Sequence, residues 1–132
     1  MGAQVINPWT WQEQYGFVHG NVVASGARTL YIAGQAAVDD GGNPTHAGDM
    51  IAQVQASIDN VEAVLTQAGM TLADVVRLSI YTTDVDGFFA AHPSLVERFD
   101  RAGCKPASTL LGVTRLAFPE MLVELEATAV AD

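Results

Sequence analysis

PASTLLGVTRLAFPEMLVELEATAV, residues 106–130, decides the fold. β-Branched and aliphatic residues crowd both halves and Phe118-Pro119 interrupts them, which predicts two strands joined by a turn. In the second half Met121, Val123, Leu125 and Ala127 alternate with Leu122, Glu124, Glu126 and Thr128. A strand sends one set into a core and the other to the opposite face. Two carboxylates then stand on one face. They are either an ordinary solvated pair or, if that face is covered, a pair in which Glu124 sits in a cleft.

Working outward, the 132 residues fit one domain with one continuous core. Hydrophobic residues make up 49% and charged residues 16%, a thin polar coat that favours self-association. Six Lys and Arg against fifteen Asp and Glu give a net charge of -9, which repels phosphate backbones and anionic membranes. Nucleic acid and membrane are therefore not expected as partners. One cysteine, Cys104, cannot staple a fold, so a reducing compartment is expected. The start MGAQVINPWTWQ lacks a basic, apolar secretory signal, and no stretch reaches the length of a membrane span; a cytoplasmic protein is the expectation.

Trp9, Trp11, Tyr15 and Phe17 gather before any strong strand signal, either to cover the core or to wall a pocket. FVHGNVVA (17–24), the turn SGAR (25–28) and TLYIAGQAAV (29–38) read as a β-hairpin. Gly34 in mid-strand points to close approach by backbone or ligand. After the loop DDGGNPTHAG, Asp49 opens a helix to about Gly69 whose Ile51, Val54, Ile58, Val61 and Leu65 form a core stripe, with Asp59, Asn60 and Glu62 on its solvated flank. VVRLSIYTT (75–83) follows as a strand, and strand, helix, strand implies a right-handed crossover and a parallel pair. Residues 84–103 read as a second helix interrupted at Pro93, placing His92 at a bend, either idle at the surface or aimed into a cleft. His19, His46 and His92 are too scattered for a metal site, and no phosphate loop or nucleophile elbow occurs.

Two helices connecting strands of one sheet cover one face of it. Tyr31, Ala33, Leu122 and Leu110 or Leu111 would leave the other face apolar, which predicts a homo-oligomer packed through sheet faces with clefts at its boundaries.

TLYIAGQAAVD, the helix with SIDNVEAVLTQAG, DVVRLSIYTTDVDGF and PASTLLGVTRLAFPEMLVELEATAV occur in that order and spacing. Together they resemble the Rid family of reactive intermediate deaminases, also called the YjgF family, over nearly the whole chain. The resemblance implies an α+β, chorismate-mutase-like fold with a mixed sheet and two helices on one face, a homotrimer, and a small-molecule cleft between subunits. It also implies hydrolysis of imines or enamines without metal or organic cofactor. Glu124 matches the family's cleft glutamate, and Gly34 matches the glycine of its serine-glycine-glutamine strand, with Ala33 in place of the serine. Ser108 replaces the family's ligand-binding arginine, Leu110 a cysteine, Phe17 a tyrosine, and His92 aligns with a frequent asparagine.

On this resemblance Glu124 is the expected catalytic base and His92 the fallback. Phe17, Ala33, Gly34, Ser108, Thr109 and Leu110 are the expected substrate contacts, with backbone amides near Gly34 or Leu110 polarising the substrate. Whether Trp9, Trp11 and Arg115 line the cleft stays open. An arginine holds a carboxylate through two charge-assisted bonds, each worth about 1.5–3 kcal/mol, and a serine supplies one uncharged donor. Carboxylate binding should fall about ten- to a hundredfold or more. Two readings follow: a deaminase-type hydrolase acting on something other than a simple α-imino acid, or a non-catalytic trimeric small-molecule-binding or chaperone-like protein. The older family label of endoribonuclease fits poorly with a charge of -9.

Overall fold

The computed structural model describes residues 3–24 and 28–132, the side chain of Gln12 apart. Its main sheet has four strands: β3 (Arg28–Gln35), β4 (Val75–Thr82), β5 (Ala107–Gly112) and β6 (Val123–Ala131). They lie in the order β3-β6-β4-β5, with β4 and β5 parallel and the other pairs antiparallel. Two short strands, β1 (Gln4–Ile6) and β2 (Gly20–Val22), form a separate antiparallel ribbon.

Helices α1 (Met50–Gln67) and α2 (Val85–Ala102) start where acidic caps direct them. The Asp49 carboxylate accepts from the Ala52 amide at 3.0 Å and the Asp84 carboxylate from the Gly87 amide at 3.0 Å, satisfying donors that a helix start leaves open. Glycines in the left-handed region follow each helix, Gly69 at φ 73° and Gly103 at φ 69°. Both helices connect strands of the sheet and bury their stripes against one face of it. Val54, Ile58, Val61 and Leu65 of α1 and Phe88, Leu95 and Phe99 of α2 join Leu78, Ile80, Val123 and Leu125 in one core. Burying each such side chain contributes about 1.5–3 kcal/mol. The alternation expected from 121 to 128 holds, with Met121, Val123, Leu125 and Ala127 buried and Glu126 exposed.

Several pairings differ from the expectation. The 17–24 and 29–38 segments form no hairpin: β2 pairs with β1, β3 pairs with β6, and of the turn expected at 25–28 residues 25–27 lie outside the described residues while Arg28 begins β3. β3 and β4 run parallel but are not neighbours, because β6 inserts between them and bonds to both. The same insertion logic separates β5 from β6, with β4 between them. The parallel crossover that does form directly is β4-α2-β5.

Proline 93 does not break α2. The helix runs through it without a gap, with Pro93 on its exposed side, and His92 sits on a helix rather than at a bend. The cost of the missing N–H is carried by the buried face on either side of it, Phe88, Ala91, Leu95 and Phe99. The flank of α1 is also less passive than its polarity suggests. Asn60 donates to the Ala36 carbonyl at 2.8 Å, and Arg98 of α2 binds both Asp59, at 2.7 Å, and Glu62, tying the helices together. Ile51, counted in the stripe, is 52% exposed.

Candidate functional site

A cavity of about 660 Å³ lies between the edge strand β5, helix α2 and the segment before β2. Its floor is Leu78 and Ile80 of β4, with Ser108 and Leu110 of β5 beside them. Those four share the helix-facing side, because Leu78 registers with Ser108 and Ile80 with Leu110. Phe88, Phe89, His92, Leu95 and Phe99 of α2 form one wall.

The opposite wall is made by Trp11, Tyr15 and Phe17. A short 3-10 turn, Trp11–Tyr15, ends at Gly16, whose φ of 75° reverses the chain and whose Cα lies so near Val96 that a Cβ would stand 3.1 Å from it. The chain then runs beside β5: the Val18 amide donates to the Pro106 carbonyl at 3.0 Å, and Val18 bridges Ala107 in parallel. The aromatic segment thereby both covers the core and walls the pocket. Trp9 packs edge-on against His19 at 5.1 Å and is not among the lining residues, whereas Trp11 is. Arg115 donates to its neighbour's carbonyl at Leu116 and does not line the cavity.

His92 is half-buried, with Tyr15, Phe88 and Phe89 around its ring at 5.7–6.2 Å. Burial lowers its pKa from the ordinary 6.5, against a hydrogen bond to the Tyr15 backbone that pulls the other way. The imidazole is therefore neutral at neutral pH. A neutral imidazole carries one acceptor nitrogen beside its one N–H. Among the described residues, the cavity lining carries no Lys, Arg, Asp or Glu.

The remaining expected residues lie on the other side of the sheet. Glu124 alternates with buried Val123 and Leu125, so its carboxylate projects from the open face. There it lies directly over Gly34, where a β-bulge between Ile32 and Gln35 shifts the register: a Cβ on Gly34 would stand 2.0 Å from Glu124 Oε2. Ala33 is exposed, next to Gly34 on β3. Thr109 also faces this side, accepting from Arg77 Nη2 at 2.6 Å. Tyr81, in register with Glu124, donates to Glu126 at 2.9 Å, and that bond raises its pKa from the ordinary 10.0.

The expected site is thus two half-sites. Phe17, His92, Ser108 and Leu110 converge on the cavity, while Glu124, Gly34, Ala33 and Thr109 occupy the open sheet face. Sequence reasoning left Tyr15 between covering the core and walling a pocket, and it missed Gln53, a buried amide on α1. Gln53 donates to the carbonyls of His46 and Glu120 and accepts from the Leu122 amide at 2.8 Å, anchoring the approach to β6 and so to Glu124. A glutamine one position before Val54, on the edge of the apolar stripe, was the available signal. The expected apolar open face is mixed: Tyr31 is 81% and Leu111 49% exposed, but charged and hydroxyl side chains lie among them. Among the described residues no three His, Cys, Asp or Glu cluster as metal ligands, and no helix is long and apolar enough to cross a membrane.

Comparison with known proteins agrees with this architecture. The Rid family protein YyfB from Yersinia pestis, described as of unknown function, superposes with a TM-score of 0.86 at 39% identity, over 98% of each chain. The YjgF gene product of Escherichia coli superposes with a TM-score of 0.70 at 28% identity, over 86% of this chain and 87% of that one. The 2-iminobutanoate/2-iminopropanoate deaminase of Escherichia coli K12 is 30% identical over 83 residues, 62% of this chain and 64% of the relative. The profile of the Endoribonuclease L-PSP family matches residues 14–131. With 118 residues matched to that profile and the fold superposing on these structures, the chain belongs to this family, the Rid or YjgF family whose motifs it carries.

Proposed function

We propose that the protein is a cofactor-independent hydrolase of an imine or enamine lacking a carboxylate, acting in a cleft completed by a second copy of the chain within a homotrimer. The observation that carries this reading is the division of the site: the carboxylate over Gly34 and the cavity holding His92 and Ser108 lie on opposite faces of one sheet. Only a neighbour's open face can bring a Glu124 to the mouth of the cavity. The deaminase activity of the Escherichia coli relative supports the reaction class.

In this reading Glu124 removes a proton from water as the oxygen adds to the C=N carbon, and the nitrogen takes up a proton. The carbinolamine then loses ammonia and leaves a carbonyl compound. Exclusion of α-imino acids rests on the lining, which has Ser108 where a cation would be needed, and on neutral His92.

The test uses benzaldimine, generated from benzylamine by a flavin amine oxidase and trapped with semicarbazide, beside the imino acid formed from serine. The parent protein should speed loss of benzaldimine and leave the imino acid at its spontaneous rate, and Glu124→Gln should lose about 10²–10⁴-fold in rate while still binding. Native mass spectrometry should show a trimer. A monomer, or rapid turnover of the serine-derived imine, would overturn the reading. Ligand binding without turnover would favour the non-catalytic alternative, which the absence of charge from the cavity lining also suits.

A further inference from the structure

We infer that the cavity selects an uncharged aromatic compound bearing one hydrogen-bond donor. This rests on the proposal above only in taking the cavity as the ligand site, and it adds the chemistry of the ligand. A volume of about 660 Å³ is that of a small-molecule site, and its lining has the usual composition of one: apolar walls with few polar groups. Here the walls are mainly ring faces and edges. Trp11, Tyr15, Phe17, Phe88, Phe89 and Phe99 supply six aromatic side chains around a floor of Leu78, Ile80 and Leu110. Flat guests meet such walls with offset or edge-to-face contacts that an aliphatic chain does not make.

Charge narrows the class. A carboxylate entering the cavity leaves water and meets no Lys or Arg in the lining. A net charge of -9 adds a repulsive field.

Polarity narrows it further. His92 lines the cavity with its ring among Tyr15, Phe88 and Phe89, and a neutral imidazole carries an acceptor nitrogen that calls for a donor from the guest. Ser108, the other small polar side chain in the lining, has a hydroxyl that adapts to either role.

The test is ligand-observed saturation-transfer NMR with phenol, anisole and benzoate on the full chain in its native assembly. Phenol should bind most tightly, anisole, which keeps the ring but lacks the donor, about three- to tenfold more weakly, and benzoate not detectably. His92→Phe keeps an apolar ring in the wall and should bring phenol down to the level of anisole. Leu110→Trp fills the cavity and should abolish binding of both; a thermal melt checks that each variant is folded, and the three-ligand series on the parent requires no variant. Benzoate binding as tightly as phenol would overturn the charge argument, equal binding of phenol and anisole the donor argument, and phenol binding undisturbed in folded Leu110→Trp the location. None of these readouts needs turnover. Failed hydrolysis of benzaldimine with this ligand order intact would remove the hydrolase and leave the ligand class standing.

Discussion

Gly34→Ala separates the position of the Glu124 carboxylate from the stability of the fold. The added Cβ would stand 2.0 Å from Glu124 Oε2, 2.8 Å from its Cδ and 3.2 Å from its Cγ. Ordinary contact needs more than 3 Å, so the carboxylate must move by at least about 1 Å, and a displacement of that size costs a reaction about a hundredfold. That corresponds to about 2.7 kcal/mol of transition-state stabilisation. The fold should hardly notice. The obstructing atoms are the end of a flexible side chain, whose departure from its preferred rotamer costs about 0.5–1.5 kcal/mol. Gly34 is not among the residues with positive φ, so alanine also removes unfolded-state freedom worth about 0.4–1 kcal/mol. Net stability should shift by less than about 1 kcal/mol. Chemical denaturation and kcat/KM for benzaldimine, measured on the same preparation, test both halves. Undiminished kcat/KM in a folded Gly34→Ala protein would show that the carboxylate over Gly34 has no part in the chemistry.

Other variants test other parts of the structure. Gln53→Leu leaves the Leu122 amide and the carbonyls of His46 and Glu120 without their partner, so unfolding free energy should fall by about 2–4 kcal/mol in urea titrations. Cys104 is fully buried and its thiol pKa is pushed up from 9.0 to about 12, so it should resist alkylation until the chain unfolds. Because the folded value is the higher one, its contribution to stability is complete below pH 9 and is lost as pH rises towards 12; Cys104→Ala should flatten that alkaline limb. The sign is opposite for His92, whose folded pKa lies below 6.5: its contribution is present above that pH and lost as pH falls through the lowered value. Thermal melts of His92→Phe across the acid range should show a shallower decline than the parent.

Side-chain periodicity made the faces legible and left the neighbours hidden. The three- and four-residue steps of α1, its Asp49 cap and Gly69 stop are local, and they appear where the sequence places them. Alternation at 121–128 correctly assigns Glu124 to the face opposite Val123 and Leu125. Which strand lies beside which is a long-range matter that a period of two does not encode, so β6 entering between β3 and β4 was invisible, as was the ribbon of β1 with β2. Pro93 misled because local preference disfavours it within a helix, while four buried residues of α2 hold the helix through it. The division of the site escaped for a related reason. Motif matching gathers residues by sequence position, and Ser108 and Thr109, adjacent in the chain, necessarily point to opposite sides of β5.

That opposition has a genetic consequence. If each cleft takes its carboxylate from one subunit and its pocket from another, a chain damaged at Glu124 and a chain damaged at Leu110 carry complementary defects. Neither should function alone. Co-expressed and mixed at random in trimers, they should pair an intact carboxylate with an intact pocket in about a quarter of the clefts, restoring that share of parental activity. Two alleles that are each null could therefore rescue one another within a single assembly.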